Sequence, residues 1–155
     1  MSVEVGDKAP DFELPRDGGE TFRLSGLRGK KIVLYFYPKD DTSGCAREAE
    51  AFRDRMDRFE ALGAVVVGLS KDSVNKHDKF KAKYDLPFAL ISDETCEVCE
   101  DYGVWKEKSM YGKKYMGIER STFLIDEMGA VRNAWRKVKV AGHADAVLDA
   151  ITALD

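Results

Sequence analysis

Nowhere in this chain of 155 residues does an apolar run approach the ~20 residues of a membrane span. Its opening Met1-Ser2-Val3-Glu4-Val5-Gly6-Asp7 lacks the basic start and apolar centre of a secretory signal. The expectation is a cytoplasmic protein without membrane contact. Cysteine is scarce: Cys45, Cys96 and Cys99 are an odd number, which argues against a secreted disulfide framework and for thiols kept reduced between chemical events. Excess positive charge is missing as well. The 25 Lys and Arg against 28 Asp and Glu leave a formal charge of -3, so no broad basic face is offered to nucleic acid. Repeats and low-complexity linkers are also absent. A composition 44% hydrophobic and 34% charged then fits one globular domain, residues 1–155, with one sizeable core and small or proteinaceous partners.

The patterning present is that of an α/β protein. Residues 11–14 and 21–24 read as short strands around Arg16-Asp17-Gly18-Gly19, an N-terminal hairpin. Residues 32–37 and 64–70 are β-branched and aromatic without alternation, as in central strands covered on both faces. Between them Ala49, Phe52, Met56, Phe59 and Leu62 recur at helical spacing up to Gly63, predicting one amphipathic helix that begins near Cys45. Ser73 is a cap for a helix carrying His77, Phe80 and Tyr84 on one side, and Asp93 a cap for a helix to Tyr102 after a short strand at 90–92. A long loop is expected over 104–119. Strands at 121–125 and 130–135 flank Asp126-Glu127-Met128-Gly129, and Ala144, Val147, Leu148, Ile151 and Leu154 stripe a last helix. That element order is the order of a thioredoxin-like fold with a hairpin extension, its central mixed sheet flanked by helices.

Chemistry gathers at one place in that plan. Pro38-Lys39-Asp40-Asp41-Thr42-Ser43-Gly44-Cys45 leaves the carboxyl end of a central strand and hangs a cysteine at a helix start. Unpaired backbone N–H groups and the positive end of the helix dipole both favour a thiolate there. A lone cysteine is more often a small buried hydrophobe, but Gly44 before it and the polar Asp40-Asp41 argue for a wet, reactive setting. Thr42 stands where thioredoxin has the first cysteine of its C-x-x-C, which excludes a local disulfide exchanger.

Pro38-x-x-x-Thr42-x-x-Cys45 resembles the active-site signature of peroxiredoxins. With Leu90-Ile91-Ser92-Asp93, Tyr102-Gly103-Val104-Trp105, Gly117-Ile118-Glu119-Arg120 and Phe123-Leu124-Ile125-Asp126, nearly the whole chain resembles the PrxQ type, also called bacterioferritin-comigratory protein. The resemblance implies a peroxidatic Cys45, a Thr42 that bonds thiolate and peroxide, an Arg120 that supplies fixed positive charge, and a Pro38 that shields the pocket. It implies reduction of hydrogen peroxide and organic hydroperoxides, electrons returned by thioredoxin or a similar thiol, no metal, haem or flavin, and a monomer or weak dimer. From spacing alone, Arg120 is a surface ion-pair partner of Glu119 or Asp126, and Thr42 a turn or cap residue. Ionising a thiol of ordinary pKa fully at pH 7 gains about 30-fold, or about 2 kcal/mol. Donors aimed at the breaking O–O bond are therefore also required, and a planar, permanently charged Arg suits that task.

Two departures from the PrxQ pattern matter. Ser43 replaces the usual Pro, so the loop is less rigidly locked. Glu50 and Lys81 stand where many PrxQ proteins carry a resolving cysteine, and neither forms a disulfide. Recycling is then either a one-cysteine cycle, in which an external thiol attacks the Cys45 sulfenic acid, or resolution by Cys96 or Cys99 after local unfolding. The one-cysteine cycle is the preferred reading, and Cys96-x-x-Cys99 is read as packing rather than as a zinc site with His77 and His143. The Lys76, Lys79, Lys81 and Lys83 run is a solvated helix face or, less simply, a dock for an acidic reductase. A rival from another class is a thioredoxin-fold redox sensor or holdase with little turnover.

Overall fold

The computed structural model describes residues 3–154. Its centre is a five-stranded sheet in the order β5-β4-β3-β8-β9. The parallel strands are β3 (Lys31–Phe36), β4 (Ala64–Ser70) and β5 (Ala89–Ser92); β8 (Ser121–Ile125) and β9 (Val131–Trp135) continue the sheet antiparallel. Successive β3 side chains point to opposite faces, as a period of two requires. Ile32, Leu34 and Phe36 join one apolar cluster, while Val33, Tyr35 and the following Tyr37 join the other. Both faces are therefore core, which is why this strand shows no polar alternation.

One face is covered by α1 (Ser43–Arg53), α2 (Met56–Ala61), α3 (Val74–Tyr84) and α5 (His143–Thr152), through Ala49, Phe52, Phe59, Phe80, Val147 and Ile151. Tyr35 and Phe52 stack with centroids 4.8 Å apart, and burying a ring such as Phe52 contributes about 2–3 kcal/mol. Gly68 makes room for that stack: a Cβ there would lie 3.0 Å from the Tyr35 hydroxyl and 3.1 Å from Leu90. The other face is covered by the hairpin β1 (Glu13–Pro15) and β2 (Thr21–Arg23), by α4 (Glu97–Asp101), and by the root of a second hairpin.

That second hairpin corrects one expectation. Residues 104–119 are not a loop: β6 (Trp105–Met110) pairs antiparallel with β7 (Lys113–Ile118). Only its root is buried, at Ile118, so lysine-rich strands open to water give no apolar alternation to read. Its signal was the turn, where Tyr111 and Gly112 both take positive φ (53° and 78°), the geometry of a two-residue type I′ connection.

Two helices differ from their expected extent. The helix after Cys45 breaks at Asp54 and Arg55, where the Arg55 guanidinium donates to the Ala51 carbonyl and to Asp145 of α5. The helix expected from Asp93 is confined to α4, because Cys96 adopts left-handed φ (64°) and the Asp93 carboxylate takes the Cys99 N–H at 2.9 Å. No helix among the described residues is long and apolar enough to cross a membrane.

Asp17, in the 3-10 turn Asp17–Gly19, ties the first hairpin to the sheet by accepting from the Leu90 N–H (2.9 Å) and Lys81 Nζ (2.8 Å). Burial opposes its ionisation, but these donors outweigh it and hold the carboxyl below its ordinary 3.8. A depressed pKa stabilises the fold above the unfolded value and ceases to as pH falls through the folded one. Asp17→Ala is expected to cost about 2 kcal/mol at pH 7, or about 4–8 °C in melting temperature at this size. The gap should narrow in melts below pH 3.8; a gap unchanged by acid would refute the charge argument.

Candidate active site

Cys45 lies in the first turn of α1, at the carboxyl end of β3, with only 1% of its surface exposed. Thr42 is the N-cap residue: its carbonyl accepts from the Ala46 N–H (2.8 Å), while its backbone is extended (φ -88°, ψ 155°). The N–H groups of Ser43, Gly44 and Cys45 precede the first intrahelical bond and have no helical acceptor. The Thr42 hydroxyl does not cap them. It donates to the Lys39 carbonyl at 3.0 Å, which leaves its oxygen as an acceptor for an incoming O–H.

Arg120 comes from the two-residue link between β7 and β8, a tightly held position. Glu119 N–H donates to the Val104 carbonyl (2.7 Å), and Val138 N–H to the Arg120 carbonyl (3.0 Å). Its guanidinium divides between two partners: Nη2 lies 3.4 Å from Cys45 Sγ and Nη1 donates to Glu48 Oε1 at 2.7 Å. Burial works against the charge, but Glu48 and Cys45 outweigh it and push the Arg120 pKa up. The simple surface pairings do not form, since Asp126 pairs with Arg132 instead. Gly44 allows this approach, as a Cβ on it would sit 3.2 Å from Arg120 Nη2.

Glu48 was not singled out in the sequence. It follows Cys45 by three residues and so shares its helix face; an acid among the core positions of that face was the available signal. It is 1% exposed, its Oε2 has no hydrogen-bond partner, and burial lifts its carboxyl to about 7 despite Arg120. Lys108 of β6 was missed as well. Half-buried, its ammonium is held below its ordinary pKa by burial and by the Arg120 charge, with Cys45 acting in the opposite sense.

Pro38 is half-buried at the start of the loop to Thr42. The sequence reading of Asp40-Asp41 as wet holds for Asp41 only, because Asp40 is buried. Its carboxylate accepts from the Tyr37 hydroxyl (2.6 Å) and meets His77 Nδ1 (2.6 Å), and its N–H donates to Asp72 (2.7 Å), which also accepts from Ser70 Oγ. His77 Nε2 faces the Ile91 carbonyl, an acceptor only, and so carries a proton. Asp41, at φ 61°, accepts from Lys83 Nζ and Tyr84 Oη. Asp72, just before α3, and His77, Lys83 and Tyr84 of α3 thus fix the loop that delivers Thr42.

The other cysteines are not part of this constellation. Cys45 belongs to the apolar cluster on the α1 face of the sheet, and Cys96 and Cys99 to the cluster on the opposite face. Burial and Asp93 push both of their thiols up, away from the reactive thiolate. His143 is likewise elsewhere: it bonds the buried Thr122 hydroxyl (2.8 Å), and burial with Arg120 lowers it to about 4, so it is neutral at pH 7. Among the described residues no group of three His, Cys, Asp or Glu is placed to hold a metal ion. Glu50 lies near Arg53 (3.6 Å) and Lys81 holds Asp17, so both resolver positions carry charged residues with local partners.

Residues 5–134 match the model of the AhpC/TSA family. The chain is 57% identical over 148 residues to a putative peroxiredoxin bcp of Coxiella burnetii, covering 96% of this chain and 98% of that one. It is 54% identical to peroxiredoxin Bcp of Bacillus subtilis, covering 97% and 96%. Among solved structures, Xanthomonas campestris peroxiredoxin Q superposes with a TM-score of 0.90 at 47% identity, over 98% of this chain and 96% of that one.

Glu48 yields a pH signature with a definite sign. Its raised pKa means that the neutral form suits the fold, a contribution present below 4.5 and lost as pH rises through about 7. Glu48→Gln, neutral at every pH, is therefore expected to gain stability relative to the parent between pH 5 and pH 9 in thermal melts. A difference that stays flat across that range would contradict the burial argument.

Proposed function

The chain belongs to the AhpC/TSA family and is a peroxiredoxin of the PrxQ/BCP type, a peroxide-reducing oxidoreductase; from that premise we propose that Cys45 reduces hydrogen peroxide and organic hydroperoxides and is reset in a one-cysteine cycle by thioredoxin or a similar thiol. The bacterioferritin comigratory protein of Xanthomonas campestris, 47% identical to this chain, has alkyl peroxide reduction activity, which supports organic hydroperoxides as substrates here.

The observation that carries the reading is the Arg120 fork between Sγ and Glu48. In the proposed step, the Cys45 thiolate attacks one peroxide oxygen, the S–O bond forms as the O–O bond breaks, and the departing alkoxide or hydroxide takes a proton. Cys45 becomes a sulfenic acid, and the products are alcohol or water. Arg120 Nη2, beside Sγ, faces the region where negative charge shifts onto oxygen, and Glu48 fixes its orientation through the other nitrogen. The Thr42 oxygen, its own proton committed to Lys39, accepts from the peroxide O–H. Half-buried Pro38 flanks this loop and serves to shield the pocket.

The split of the thiols across the sheet supports the one-cysteine cycle, since a Cys45 bond to Cys96 or Cys99 requires the chain to be rearranged around the sheet edge. An external thiol instead forms a mixed disulfide with release of water, and a second thiol frees Cys45. We further propose a monomer or weak dimer located in the cytoplasm.

Cys45→Ser is expected to abolish peroxide consumption, and Cys96→Ser to retain it; full activity in Cys45→Ser would sink the proposal. In a non-reducing peptide map after one equivalent of peroxide, Cys45 should carry a sulfenic acid or an external adduct. A crosslink to Cys96 or Cys99 would overturn the one-cysteine cycle. Sustained turnover beyond one equivalent separates an enzyme from a redox sensor.

A further inference from the structure

We propose that the lysine-bearing face where the loop of residues 38–42 meets α3 is the docking site of an acidic protein reductant, one that presents carboxylates around its own reactive thiol. The inference rests on the peroxidase reading and adds the place and chemistry of the partner.

Lys39, Lys71, Lys76, Lys79 and Lys83 border two adjoining hollows, with Lys39 and Lys76 common to both. Of these, only Lys83 pairs with a carboxylate among the described residues, on Asp41; the other four are exposed cations without an ion-pair partner. The acids nearby are mostly committed inward: Asp40 and Asp72 are buried in the loop's hydrogen bonds, and Glu94 is the remaining acid on the rim. In a chain of formal charge -3, this is a local reversal of sign. Unpaired cations concentrated at one rim attract an opposite surface and raise its association rate.

The position of the face gives the charge a task. Cys45 is almost wholly buried, so a thiol reaches it only when the loop that leads into α1 gives way. The outermost tie of that loop is on this face. Asp41 is a non-glycine residue in the left-handed region, held from outside by Lys83 Nζ and Tyr84 Oη. A partner carboxylate that takes Lys83 displaces Asp41, and the relaxation of its strained backbone favours opening. The partner's thiol then attacks the sulfenic sulfur: an S–S bond forms, the S–O bond breaks, and hydroxide leaves with the thiol proton as water. The partner's second thiol breaks the mixed disulfide, so the partner is oxidised and Cys45 is returned reduced.

The test uses the full chain in NADPH-coupled turnover with an acidic bacterial thioredoxin and its reductase, and in parallel with dithiothreitol. Lys76→Glu/Lys79→Glu is expected to raise the KM for thioredoxin about 10-fold or more and to flatten its rise with salt, while turnover with dithiothreitol stays unchanged. The neutral pair Lys76→Gln/Lys79→Gln should give an intermediate rise, which keeps the test decisive if reversal perturbs α3. The same reversal at Lys8 and Lys30, at the opposite end of β3, should leave the KM alone. An unaltered thioredoxin KM in the Lys76/Lys79 variants, or an equal rise in the Lys8/Lys30 control, overturns the docking face. Absence of turnover with both reductants in the parent chain overturns the peroxidase reading itself.

Discussion

The site depends on one half-buried guanidinium shared between a buried carboxyl and a buried thiol. Arg120 meets Glu48 with one nitrogen and Cys45 with the other, and neither partner is open to water. Taking such charges out of water costs several kcal/mol per ion, which their mutual attraction offsets only with good geometry. Here the geometry is enforced from outside the pair. The Arg120 backbone is bonded on both sides, Gly44 leaves space for the fork, and Glu48 and Cys45 are one helical turn apart on α1. The orphaned Glu48 Oε2 and the lifted carboxyl show that satisfaction is incomplete. What the arrangement secures is orientation, with a permanent charge aimed beside the sulfur.

The sheet explains why the proposed chemistry falls to Cys45 and not to another thiol. Because β3 alternates its side chains between two cores, the helices on one face and the hairpins on the other are separate environments. Cys45 emerges at the carboxyl end of the strand, where a loop and a helix start converge. Cys99 lies within α4 and Cys96 at its N-cap, both buried, where burial and Asp93 disfavour a thiolate. Three chemically identical side chains thus receive different settings: one beside a guanidinium, two beside a carboxylate that opposes ionisation.

Much of this was legible in residues. Apolar runs without alternation located β3 and β4, helical stripes located α1, α3 and α5, and Gly44-Cys45 at a helix start located the thiol. Arg120 was less so: spacing offered it Asp126, and only the fold, which brings residue 120 to residue 48, shows where its charge goes. Glu48 and Lys108 escaped because a charged residue in an amphipathic pattern reads as solvent-facing until its face is known. The β6–β7 hairpin escaped because strands that bury almost nothing leave no periodic trace. Asp40 was misread for a related reason. Two adjacent acids look alike in sequence, yet one enters a buried network with His77 and the other takes a strained surface conformation.

The burial of Cys45 sets the chief difficulty of the proposed cycle. A sulfur 1% exposed is protected from adventitious thiols and metals, and its neighbours act in a medium where charges are weakly screened. The same enclosure bars a bulky reductant. A peroxide is small enough for a modest opening, whereas a protein thiol needs the loop of residues 38–42 moved. The ties on that loop are graded: Asp40 is locked in the interior by Tyr37, His77 and Asp72, and Asp41 is held at the surface by two side chains of α3. Local opening follows the least buried bonds first, so the loop should yield from Asp41 inward, leaving the buried anchor to draw it back. In the proposed cycle the acid pair before Cys45 therefore acts as an asymmetric hinge, with one residue set to stay and one set to release.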